Sequence, residues 1–224
     1  MEISAPKGKF MVHMLHSAYF FPQTVDVKWS ATAQGKPNLP VWLHLFHSKH
    51  RAISYLIGTP VTPFQQITIH VIAKRLDNYK SAEQLITIIS NEDVRYNSST
   101  QQIAELKIKN VEAEEFTNMR NDHIKRLEKA IHETFRGKGV NPYIFNIIPE
   151  IQNPPEEFYR VANQIKIGSI VQIGTQQHFH ANVHRILEGL RKNPQYCHKT
   201  ILFPWTNTFA HSSPSTGANL ILKI

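Results

Sequence analysis

The sequence is short of several things, and each shortage closes a class of explanation. It has one cysteine, Cys197, so an internal disulfide is excluded and the thiol is expected to be unpaired. Its apolar runs are brief, such as Leu85 to Ile89, whereas a membrane-crossing helix needs ~20 apolar residues in succession. No transmembrane segment is therefore expected in these 224 residues. Met1 to Lys9 lacks the apolar stretch of a secretory leader, so none is expected there. No internal repeat is visible. The run Arg136-Gly-Lys-Gly139 lacks the spacing of a phosphate-binding loop and follows a helical pattern instead of opening one. Paired carboxylates in a cleft-like context are missing too. No catalytic constellation and no cofactor are expected.

What is present describes a folded chain. Hydrophobic residues make up 41% and charged residues 19%, which excludes the low-hydrophobicity, high-charge regime of disorder. The length allows one large domain or two small ones, each able to bury a core. The net charge is +8, divided as +3 over residues 1–93 and +5 over 94–224. Spread this evenly, with Lys125-Arg126 and Arg136 near Glu128 and Glu133, it predicts a basic surface and not a nucleic-acid face.

Residues 8–93 carry period-2 patterns. Phe10, Val12 and Met14 alternate with Lys9, Met11 and His13. Val25, Val27 and Trp29 do the same, as do Ile67, Ile69, Val71 and Ala73. Turn residues fall between them at Gly35-Lys-Pro37, Gly58-Thr-Pro60 and Pro63. Together these predict a β-sandwich. A polar stretch, Tyr96 to Gln102, links it to a second domain over 101–205. There a strand ending at Ile108 leads to Asn110 as a helix N-cap and an amphipathic helix over about 111–135, closed by Gly137 and Gly139. Strands from Tyr143 to Ile151 and Ile165 to Ile173 follow. A second helix carries Phe179, Val183, Ile186, Leu187 and Leu190, and Ile201–Phe203 is a last short strand. The order β-α-β-β-α-β predicts a ferredoxin-like α+β domain, with residues 206–224 as a tail.

Several stretches narrow the reading further. Leu39-Pro-Val-Trp42-Leu43 is followed by Gly58-Thr-Pro60 and then Ile67-x-Ile-x-Val-x-Ala73. Pro40 is expected to shape the turn that delivers Trp42 to the core, Gly58 to take a positive φ at a tight turn, and Pro60 to stiffen the exit. This series resembles the dystroglycan-type cadherin-like domain. Over residues 9–203 the chain resembles the ectodomains of the α/ε-sarcoglycan family. Phe10 to Leu15, Tyr55 to Pro60, Ile86 to Asp93, Leu106 to Glu115, Gly168 to Gly174 and Asn193 to Cys197 stand in that family's order.

The resemblance implies a cadherin/Ig-like β-sandwich followed by an α+β domain, with Trp42, Gly58 and Pro60 as the fold signature. It implies a non-catalytic, structural glycoprotein on the extracellular side of the plasma membrane. Such a subunit would assemble with β-, γ- and δ-type sarcoglycans beside dystroglycan, in a dystrophin-associated complex joining matrix to cytoskeleton. The chain departs from the family in its single cysteine and in showing neither leader nor anchor. The alternative is a soluble or secreted module of the same fold that binds carbohydrate or peptide.

His178, His180 and His184, or His44, His47 and His50, have spacings that could meet around a metal, but no cysteine pair or HExxH helix accompanies them; surface histidines are expected. Cys197-His198 are sequence neighbours, whose side chains diverge, so no nucleophile–base pair is expected. Glu92-Asp93 supplies too few oxygens for calcium. Asn97-Ser98-Ser99 is an N-glycosylation acceptor in an exposed position.

Overall fold

A computed structural model describes residues 1–91, 93–108, 111–118, 122–135, 137, 139–151, 167–181, 183–185 and 188. These are mostly β-sheet with few helices, and they divide into two compact units, residues 1–99 and 100–224.

The first unit has seven strands: β1 (Glu2–Ser4), β2 (Met11–His16), β3 (Val27–Ala33), β4 (Leu43–His47), β5 (Ile53–Gly58), β6 (Gln66–Arg75) and β7 (Ser81–Ile89). They form a four-stranded sheet in the order β1-β7-β6-β3 and a three-stranded sheet in the order β2-β5-β4. All pairs are antiparallel except β1 with β7. Alternation explains the burial. Val27, Trp29 and Ala33 on β3, Ile69, Val71 and Ala73 on β6, and Ile86 and Ile88 on β7 are buried. The residues between them carry most of the polar side chains, as a sheet with one covered face requires.

Three features of this unit differ from the sequence reading. The unit begins before residue 8, because β1 pairs Ile3 with Ile88; three residues are too few to show a period. On β2 the buried residue is Leu15, opposite Ser54, out of phase with the Phe10-Val12-Met14 alternation; Met14 is exposed. Tyr96, assigned to the linker, is buried with its ring over Gly8.

In the second unit β8 (Gln102–Ile108) and β9 (Tyr143–Pro149) flank β10 (Ser169–Thr175), both antiparallel to it, so β8 and β9 run parallel to each other. Ala104, Leu106, Ile144, Ile147, Val171 and Ile173 are buried. Glu105, Lys107 and Gln172 alternate with them, tied by Gln172 Nε2 donating to Glu105 at 3.1 Å and Lys107 Nζ to Glu150 at 3.3 Å. Helix α1 (His123–Phe135) buries Leu127, Ala130, Ile131 and Phe135, one stripe at helical spacing.

The single helix expected over 111–135 is not what forms. Ala113–Thr117 is a 3₁₀ turn, Asn118 is extended at φ −77°, ψ 97°, and the α-helix starts at His123. Glu115 accepts the Glu112 backbone N–H at 3.0 Å in a capping box that opens the turn. At its far end the Thr117 hydroxyl donates back to the Glu114 carbonyl at 2.8 Å, a local bond that competes with the α-helical ladder. The strand expected at Ile165 to Ile173 is also shifted: Ile167 and Gly168 precede it and it runs on to Thr175. In the second helix, residues 181, 183–185 and 188 are helical. The proposed N-cap Asn110, the strand Ile201–Phe203, the tail and Cys197 lie outside the described residues.

Candidate functional site

The signature residues of the first unit converge. The Leu43 N–H donates to the Pro40 carbonyl at 2.9 Å, closing the turn that carries Trp42 inward, where it is 1% exposed. Gly58 lies at the end of β5, paired with both Met11 and Leu43, and not in a free-standing turn as expected. Its φ is +150°, and a Cβ there would stand 1.9 Å from the Trp42 carbonyl oxygen. Glycine is needed for close approach as much as for its dihedral. Pro60 is buried, and its carbonyl accepts the Gly8 N–H at 3.0 Å.

Beyond Pro60 the chain presents Phe64, whose ring stacks on Trp42 at 5.2 Å with an interplanar angle of 6°. Aromatic contact of this kind fixes ring orientation as well as burying area. Phe64 and Pro63 form the apolar wall of an open groove of about 560 Å³. Gln65, Lys7 and Asp93 supply its polar groups, and Val94 and Asn97 its outer rim. The volume falls within the ~300–1,000 Å³ of small-ligand pockets.

The charges along the groove are largely settled. Arg95 donates to Asp93 from Nε at 3.1 Å and from its terminal nitrogen at 2.8 Å. These bonds first, then the Arg95 backbone N–H and the nearby Lys7 ammonium, hold the Asp93 carboxyl below the usual aspartate range. Lys7 is only 8% exposed, a long stem laid into the unit. The 3₁₀ turn Val94–Tyr96 explains the rim: Asp93 caps it, the Tyr96 side chain turns inward, and Val94 is left 91% exposed. Asn97, Ser98 and Ser99 follow, all exposed.

The other candidates do not assemble. His178, His180 and His184 are exposed; His44 is half-buried and His47 and His50 are exposed. Among the described residues no group of three or more metal-ligating side chains is gathered. Desolvation lowers the pKa of half-buried His13 and, on the part of its ring against the sheet, of His47; they stand on β2 and β4 opposite Leu56 and Ser54 of β5. Glu92 and Cys197 lie outside the described residues. Sequence reasoning found Asn97 but missed Phe64, Lys7 and Val94. They are remote in sequence, and only the Trp42 stack and the short turn bring them together.

No helix of the described residues is long and apolar enough to cross a membrane. No protein-family model matches the sequence, and no curated protein matches it. Among solved structures, a chimeric titin Z1Z2 carrying an exogenous decorin peptide aligns over 41% of this chain and 87% of its own, at 14% identity and a TM-score of 0.31. An endo-fucoidan hydrolase of glycoside hydrolase family 107 aligns over 78% of this chain and 23% of its own, at 9% identity and a TM-score of 0.32. Similarities this low carry no argument about fold or activity.

Proposed function

We propose that the chain is a non-catalytic structural subunit of a sarcoglycan-like membrane glycoprotein complex, a cadherin/Ig-like β-sandwich followed by a ferredoxin-like α+β domain. It would stand on the extracellular side of the plasma membrane and act by protein–protein contact with β-, γ- and δ-type sarcoglycans beside dystroglycan. The observation that carries this reading is the packing of Gly58 against the Trp42 carbonyl, with Pro60 buried two residues on. The resemblance supplies the Trp-Leu and Gly-Thr-Pro stretches in that order along the chain. The two-sheet strand order supports the sandwich, and β10 set between β8 and β9 supports the split βαβ core of a ferredoxin-like sheet.

The test is affinity purification of the endogenous protein in mild detergent, with mass spectrometry of what accompanies it. Stoichiometric β-, γ- and δ-type sarcoglycans are the expected result. Recovery alone from a soluble fraction overturns the reading. The groove beside Asn97 favours a second reading in that event, a soluble or secreted module binding carbohydrate or peptide there.

A further inference from the structure

The rim of the groove holds two facts that fit together. Asn97 is the acceptor of an Asn-Ser-Ser triplet, exposed, and it lines the groove. Beside it Val94 is 91% exposed, an apolar side chain left in water at the edge of an apolar wall. Pro63 and Phe64 continue that wall, and the stack on Trp42 holds the Phe64 ring in place. Gln65, Lys7 and Asp93, the last held by Arg95, add polar groups to the same lining. A lining that joins an apolar ring to hydrogen-bonding side chains suits a pyranose ring, whose C–H face is apolar and whose edge is polar.

We infer that Asn97 is N-glycosylated and that the first sugars of its glycan lie in this groove, covering Val94 and Phe64, so that the glycan is a packed part of the first unit. The inference rests on the reading of the chain as an extracellular glycoprotein. In the transfer step the donor is a lipid-pyrophosphate-linked oligosaccharide. The Asn97 amide nitrogen bonds to C1 of the first N-acetylglucosamine, the lipid pyrophosphate leaves from that carbon, and the amide gives up one proton. The groove then binds a ligand already tethered at its rim, so the local sugar concentration is high and weak contacts suffice.

The experiment uses the full chain secreted from eukaryotic cells behind an added leader. Site occupancy is read by intact mass before and after amidase removal of the glycan, a reaction that leaves aspartate at position 97. The unglycosylated Asn97→Asp variant is the matched control. Occupied Asn97 is expected, and glycan removal is expected to lower the Tm of the first unit by about 4 °C. Val94→Ser, at a position too exposed to matter for folding, is expected to shrink that loss. An unoccupied Asn97 overturns the inference. An occupied Asn97 whose Tm is unmoved by glycan removal also overturns it, since the sugar then extends into solvent. Neither outcome touches the co-purification of sarcoglycans, which tests the proposed function separately.

Discussion

The two units bury alternating strand residues by different means, and the contrast shows where local sequence suffices. In residues 1–99 the buried stripes of β3, β6 and β7 belong to a four-stranded sheet and those of β2, β4 and β5 to a second sheet. In residues 100–224 the described sheet has three strands, and much of the remaining core comes from Phe116, Leu127, Ile131 and Phe135 on helical segments and from Phe179 just ahead of the second helix. In the first unit glycines sit under rings and backbone, Gly8 under Tyr96 and Gly58 against Trp42, and Trp42 stacks on Phe64. In the second, Gly174 lies close to the Tyr143 ring, and helix and sheet are filled by rings, with Phe135 and Phe179 at 5.9 Å and Phe116 edge-on to His123 at 6.1 Å. Where two sheets meet, the backbone's close approach matters beside ring packing. A helix lying on a sheet relies more on side-chain volume.

That contrast can be broken most forcefully by emptying each core in turn. Trp42→Ala should cost the first unit about 3–5 kcal/mol and leave the second unit's transition in place; Phe116→Ala should do the reverse by a similar amount. Urea unfolding followed by hydrogen exchange in each unit reads both. One shared transition that both variants move together would show the two cores to be a single cooperative unit.

Glycine is the next lever. Gly58→Ala should destabilise the first unit by about 3 kcal/mol, because the added carbon meets the Trp42 carbonyl oxygen at 1.9 Å. Gly35→Ala is the control: its φ of +73° is strained for alanine, but nothing lies within 4 Å, so about 1 kcal/mol is expected. Equal midpoints for the two would mean that dihedral strain alone, and not close approach, requires Gly58.

In the second unit Tyr143→Phe should cost about 1 kcal/mol, because the Tyr143 hydroxyl and Thr100 Oγ1 share a 2.8 Å hydrogen bond. A shift in the first unit's midpoint instead would place that bond in the wrong body.

The smallest effect expected is an acid drift confined to the first unit. Partial desolvation holds the pKa of His13 and His47 below 6.5 in the folded state. Between those lowered values and 6.5 the unfolded chain binds more protons, so stability falls as pH drops through 6.5. His13→Gln should flatten the drift in Tm between pH 7 and pH 5. An unchanged slope would assign the drift to other groups.

How far the sequence could be read follows from the same physics. Strand β6 is legible because Ile67, Ile69, Val71 and Ala73 alternate over seven residues, whereas only the apolar end of β7, Leu85 to Ile89, stands out in the sequence. The face of β2 was misread because apolar residues lie on both of its sides, leaving two phases to choose from. The expected helix is too long because hydrophobic spacing does not register that Thr117 bonds back to the Glu114 carbonyl. Asn97 was legible as a triplet, but the groove beside it was not.

Composition and pattern by themselves determined that the chain folds, that it is rich in strands, that a helix follows the residue-100 region, and that no internal disulfide exists. These depend on burial periodicity and residue counts, which are properties of neighbours along the chain. The tertiary structure alone decided that Gly58 faces the Trp42 carbonyl, that Tyr96 belongs to the body of the first unit, and that Phe64, Lys7 and Val94 share a groove with Asn97. Those meetings join residues far apart in sequence. Chain connectivity leaves their distances open, and only the closing of the sheets fixes them.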